Sequence, residues 1–135
     1  MTHLLDTGVW VRAVNQPQSI PAAVLRILQA PRGLFGLAAI SLWEIGKKVQ
    51  MGRLALPKEL PLWLADALSG NLQVLPLSED VVVDAMRLPV FPNRDPADEL
   101  IVATARVHRL TLLTTDTKLK GYAHARIQYF KPKLT

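Results

Sequence analysis

The 135-residue chain contains no cysteine. That absence removes disulfides, thiolate nucleophiles and every zinc or iron–sulfur site built on thiolates. Histidine is scarce as well: His3, His108 and His124 lie far apart, without the short spacing of a helical metal pair. A bound metal ion would have to rest mainly on oxygen ligands. No apolar run approaches the roughly 18 residues of a membrane span, and the opening "MTHLLDTGVW" carries neither a basic leader nor a cleavage-like segment. The expectation is a cytoplasmic protein without a membrane partner. Internal repeats, low-complexity tracts and convincing linkers are also missing, which points to one domain over residues 1–135.

What is present fits a globular fold. Half of the residues are hydrophobic and a fifth are charged, far from the composition of disorder. The net charge is +5, unevenly spread. Acids dominate from Glu59 to Glu99, whereas beyond Leu100 the bases Arg106, Arg109, Lys118, Lys120, Arg126, Lys131 and Lys133 face Asp116 alone. A basic C-terminal third suits a polyanion, because cations that neutralise phosphates release condensed counterions.

Apolar periodicity alternates along the chain. "HLLD" reads as a short strand that ends at Asp6, and "VWVRAV" as a helix after a Thr-Gly break. "PAAVLRILQA" reads as a helix with Pro21 at its first position, "LFGLAAI" as a buried strand, and "SLWEIGKKVQMG" as a helix ending near Gly52. Pro57 and Pro61 bracket a loop before "LWLADALSG". Then come a strand, "LQVLPL", a helix opened by Ser78, the longest helix, "DPADELIVATARVHR", a strand, "LTLLTT", and a last strand, "IQYF". Continuous apolar strands between helices predict an α/β fold: a three-layer α/β/α sandwich with a central, mainly parallel sheet of about five strands.

The acids are placed suggestively on that map. Open parallel sheets bind ligands at the carboxyl ends of their strands, where Asp6 and Asp116 fall. Glu44 and Asp98 fall in the first turns of their helices, so four carboxylates from four places can meet at one edge. Capping accounts for each singly: "SLWE" is a Ser-x-x-Glu capping box, and "DPAD" offers Asp95 as N-cap, Pro96 at the first helical position and Asp98 at the third. Capping does not account for all four at one edge, where like charges destabilise one another unless a cation neutralises them. Hard oxygen ligands point to Mg²⁺ or Mn²⁺.

"LLDT", "ISLWEIGKKVQMGRLALP", "RDPADELIVATA" and "LLTTD", in this order and over nearly the whole chain, resemble the motifs of PIN domains, in particular the VapC toxins of bacterial toxin–antitoxin pairs. The resemblance implies a PIN-like fold and a Mg²⁺- or Mn²⁺-dependent endoribonuclease. Its catalytic and metal-holding acids correspond to Asp6, Glu44, Asp98 and Asp116. It also implies a homodimer, an RNA substrate and a VapB-like antitoxin. At one position the chain departs from the pattern: Glu99 stands where the family commonly has a basic residue. Thr114 occupies the position of a family hydroxyl, where it would orient a ligand or water behind the acids, or else pack as an ordinary strand residue. Arg94, Lys118 and Lys120 flank the acid-bearing segments and are candidate phosphate contacts or a solvated basic surface.

Two rival readings stand beside this one. A phosphorylation-dependent receiver domain would need an acidic pair after the first strand and an Asp after the middle one, and this chain has neither. A catalytically impaired PIN-like module that binds RNA or protein without cleaving is left open by Glu99. Trp10, Trp43 and Trp63 sit in helix-like apolar patterns that favour core or dimer-interface packing over base stacking, and His3 and His108 read as structural.

Overall fold

The computed structural model describes residues 1–134. Its centre is a five-stranded sheet, every strand parallel: β1 (His3–Leu5), β2 (Phe35–Ala38), β3 (Leu72–Leu75), β4 (Thr111–Thr114) and β5 (Ile127–Tyr129), in the spatial order β3-β2-β1-β4-β5. Six helices cover it: α1 (Thr7–Asn15), α2 (Ala22–Leu28), α3 (Ala39–Gln50), α4 (Leu60–Ala67), α5 (Glu79–Met86) and α6 (Pro96–Val107).

Side-chain alternation along the strands divides the interior in two. Leu5, Leu37 and Leu113 point to one face and pack with Val9, Trp10, Ile45 and Trp63 from α1, α3 and α4. Their strand neighbours Leu4 and Leu112 point to the other face and meet Ile101, Val102 and Ala105 of α6. Both faces are therefore covered, which is why the strands read as unbroken apolar runs. Trp10 and Trp63 are buried with ring centroids 5.0 Å apart. Each indole N–H is satisfied, Trp10 Nε1 donating to the Ala67 carbonyl at 3.2 Å and Trp63 Nε1 to Asn15 Oδ1 at 2.9 Å, as burial of an indole requires.

Several boundaries differ from the sequence reading. Helix α3 begins at Ala39, with Ala38 as its uncapped N-cap. Ser41 therefore lies inside the helix, fully buried, and Glu44 lies in the second turn rather than the first. The capping-box signature misled because Ser41 spends its hydroxyl on a tertiary partner, Thr7. Pro61 sits inside the first turn of α4, where its missing N–H costs nothing, and Pro21 is the N-cap of α2. α3 equals α6 in length at 12 residues. Ser78 and Asp95 do cap their helices, accepting from Val81 N at 3.3 Å and Ala97 N at 2.9 Å.

The connections run outward from β1 in both directions, to β2 on one side and β4 on the other. This reversal opens a crevice at the carboxyl ends of β1 and β4. Asp6 follows β1 directly, and Asp116 lies two residues beyond β4. Among the described residues, no helix is long and apolar enough to cross a membrane.

Candidate active site

The crevice is organised by hydroxyl groups. Asp6 is the N-cap of α1, where Oδ1 accepts from the Thr7 amide at 2.8 Å. Its other oxygen, Oδ2, accepts from Thr114 Oγ1 at 2.6 Å. Thr114 is completely buried at the end of β4, and the same hydroxyl accepts from the Asp116 amide at 3.0 Å. One threonine thus ties together the segments that carry Asp6 and Asp116. Asp116 closes its own turn, Oδ1 accepting from the Lys118 amide at 2.9 Å.

Glu44 is held from the opposite side. Thr7 Oγ1 donates to Glu44 Oε1 at 2.6 Å and lies 2.8 Å from Ser41 Oγ. Since the Thr7 proton points to the carboxylate, Ser41 must donate to Thr7, giving a relay from Ser41 through Thr7 to Glu44. Lys48, one turn further along α3, lies 4.0 Å from Glu44 Oε2. Asp98 stands in the first turn of α6, where Asn93 Nδ2 donates to its Oδ2 at 3.1 Å.

Electrostatics make the crevice a poor place for bare carboxylates. Burial raises the pKa of Asp6, opposed by its hydrogen bonds from Thr114 and Thr7 and by the Lys48 charge, and reinforced by Asp116. Burial also raises that of Glu44, against the Thr7 bond and Lys48, with Asp6 and Asp95 adding to the rise. Asp98 is pushed up to about 7, first by burial and then by the charges of Asp95, Asp6, Asp116 and Glu44. Asp98 thus lies in the field of the other three acids. They do not share close contacts: among the described residues, no group of three or more Asp, Glu or His side chains is arranged to hold an ion.

The donor chemistry nonetheless suits a hard cation. The oxygens are carboxylates, the field is negative, and Lys48 is the one cation that forms an ion pair with any of these acids among the described residues. A divalent ion would relieve the repulsion that lifts Asp98. Asp98 and Asp116 each accept a hydrogen bond on one oxygen only among the described residues, so each has an oxygen to offer such an ion.

Other residues singled out in the sequence are placed as follows. Arg94 and Lys118 are exposed beside the crevice, and Lys120 Nζ lies 4.8 Å from the centre of the Tyr129 ring. Glu99 is half-buried and forms no ion pair among the described residues. His3 pairs with Gln128 Oε1 at 3.1 Å, and Trp43, unlike the other two tryptophans, is 59% exposed. Sequence reasoning passed over Thr7, Ser41 and Asn93. Thr7 directly follows Asp6, but it read as part of a chain break, and Ser41 read as a cap.

A sequence model of the PIN domain matches residues 3–125. Over 125 residues the chain is 31% identical to Ribonuclease VapC22 of Mycobacterium tuberculosis (strain ATCC 25618 / H37Rv), covering 93% of this chain and 95% of that protein. Among solved structures, it superposes on VapBC2 from Rickettsia felis bound to a DNA fragment from their promoter, with a TM-score of 0.72, 21% identity, and coverage of 96% of this chain and 98% of that one. DNA-bound VapBC from Salmonella typhimurium gives a TM-score of 0.72 at 16% identity, with the same coverage of 96% and 98%. At these identities the two structures establish the fold.

Proposed function

Because the chain belongs to the PIN domain family, we propose that it is a VapC-like endoribonuclease toxin, neutralised by a VapB-like antitoxin, that hydrolyses RNA phosphodiester bonds with Mg²⁺ or Mn²⁺. The observation that supports this reading is that Asp98, raised to about 7 first by burial and then by Asp95, also feels the charges of Asp6, Asp116 and Glu44. The full-length similarity to a ribonuclease supports the substrate class.

Asp6, Glu44, Asp98 and Asp116 would hold the ion. When bound, it supplies charge stabilisation for the phosphodiester in the transition state and makes water a competent nucleophile near neutral pH. The chain does the positioning. Thr114 and the Thr7 amide fix both oxygens of Asp6, so that this carboxylate is oriented before substrate arrives. The Ser41–Thr7 relay does the same for one oxygen of Glu44 and leaves the other turned toward Lys48. Asp98 reaches toward the same edge from the first turn of α6, with one oxygen held by Asn93. Arg94 and Lys118, exposed at the rim, are available to RNA phosphates, and the whole of residues 1–135 acts as one cytoplasmic domain.

The reading includes partners. VapBC assemblies are its structural neighbours, and we carry a VapB-like antitoxin over to this chain. A groove of about 240 Å³ between α1, α2 and α4, walled by Val14, Leu25 and Leu28, supplies an apolar surface for it. Exposed Trp43, beside Ile40, Pro96 and Leu100, supplies a second apolar surface, which we assign to a homodimer.

Purified chain incubated with a mixed, end-labelled RNA pool tests the activity. Cutting with Mg²⁺ or Mn²⁺ that EDTA abolishes is expected. RNA binding without cutting under every metal condition would instead favour the non-cleaving PIN-like module.

A further inference from the structure

The acid crevice has one cationic flank. Arg12 extends from the last turn of α1, Lys48 from the last turn of α3, and Arg53 from the loop that follows. All three line one open cavity of about 310 Å³, whose wall begins at Thr7 and Gly8, the first two residues of α1. Thr7 also donates to Glu44, so the cavity and the acid crevice share a wall. No Asp or Glu lines the cavity.

Helix-dipole stabilisation accounts for a base in the last turn of a helix. It does not account for Arg53. That residue is brought back by a helix-terminating turn: Gly52 adopts a φ of 71°, its amide donates to the Val49 carbonyl at 3.1 Å, and the Arg53 amide donates to the Lys48 carbonyl at 2.8 Å. This is the double closure in which glycine takes the left-handed position. It seats Arg53 beside Lys48 instead of letting the chain run on. Arg53 is exposed and forms no ion pair among the described residues. Arg12 donates to Ser19 Oγ at 3.3 Å, which leaves further guanidinium protons unspent.

The remaining wall is apolar, formed by Val11, Ile45 and Leu54. Cations above an apolar floor, in a volume within the range of small-ligand sites, fit a nucleotide better than a free anion. We propose that this cavity is the subsite for the RNA nucleotide flanking the scissile phosphate, with Arg12, Lys48 and Arg53 on its phosphate and Val11, Ile45 and Leu54 against its sugar and base. The assignment rests on the nuclease reading and adds the direction in which the strand leaves the acids: between α1 and α3. Guanidinium groups are matched to phosphate oxygens in geometry as well as charge.

Steady-state cleavage of a labelled single-stranded RNA, together with RNA binding to Asp98→Asn protein by fluorescence anisotropy across a salt series, tests the subsite. Arg53→Gln and Arg12→Gln are compared with Arg26→Gln, an exposed base on α2 that does not line the cavity. Each cavity variant is expected to raise KM by about fivefold or more with kcat nearly unchanged. The slope of log affinity against log salt should fall by about 0.7, and the melting temperature of Arg53→Gln, an exposed residue without an ion pair among the described residues, should not move. Arg26→Gln is expected to change none of these. Unchanged KM and salt slope in Arg53→Gln overturn the subsite, as does an equal loss in Arg26→Gln, which would reduce the effect to net charge. RNA held through Arg53 but never cut would overturn the nuclease reading while keeping the phosphate contact.

Discussion

Thr114 donates a 2.6 Å hydrogen bond to Asp6, a residue 108 positions earlier in the chain. Neighbouring strands β1 and β4 bring the pair together, and burial raises the stakes: the Asp6 carboxylate has little water to replace a lost donor. Thr114→Val keeps the shape of the side chain and removes the donor. It is expected to cost about 1–3 kcal/mol of stability and at least about tenfold in RNA cleavage, whereas Thr114→Ser retains most of both. Urea denaturation and cleavage rates of the two variants check this, and a Val variant with wild-type activity would remove Thr114 from the positioning role.

The acid crevice also sets a pH dependence. Asp98 rises from an ordinary 3.8 to about 7, and Asp6 and Glu44 shift in the same direction. A carboxyl whose folded pKa is raised favours folding while it is protonated. Its contribution is complete below about pH 4 and is lost as pH rises through about 7. Metal-free protein should thus lose stability between these limits. Asp98→Asn should remove much of that slope and stabilise the metal-free protein near pH 8 by roughly 1 kcal/mol, a figure reduced for the partial exposure of this side chain. Adding Mg²⁺ or Mn²⁺ at that pH should restore stability to the wild type and not to the variant. Thermal melts in EDTA and in metal across this range supply the comparison.

The three tryptophans separate core from surface. Trp10 is fully buried against Trp63, so Trp10→Ala should cost about 3–5 kcal/mol and leave little folded protein on warming. Trp43 is 59% exposed, so Trp43→Ala should leave the melting curve of the monomer nearly unchanged and weaken self-association. Sedimentation over a concentration series distinguishes the two effects. A Trp43→Ala protein that self-associates as tightly as the wild type would exclude this face from the dimer.

Much of this architecture was legible in the sequence. Alternating apolar runs specify the parallel sheet because β1, β2 and β4 are buried on both faces, and Ser78 and Asp95 are true caps since each has a free amide within reach. Where local signals competed with tertiary ones, the local reading failed. Ser41 matches a capping box, yet its hydroxyl faces Thr7 across 34 positions. Trp43 shares its apolar pattern with buried residues, yet lies on the outer side of α3. The hydroxyl relay and the cationic flank were not legible either. Both depend on contacts between α1, α3 and the turn at Gly52, which no spacing rule encodes.

The central claim is that the acids in the crevice act together on RNA and that Asp95 beside them only caps α6. Cleavage rates of Asp98→Asn and Asp95→Asn, prepared identically and assayed on one RNA with Mg²⁺ or Mn²⁺, test it most directly. The account predicts a loss of about a hundredfold or more in Asp98→Asn and near wild-type cleavage in Asp95→Asn, because asparagine caps a helix about as well as aspartate. Wild-type cleavage by Asp98→Asn would contradict it.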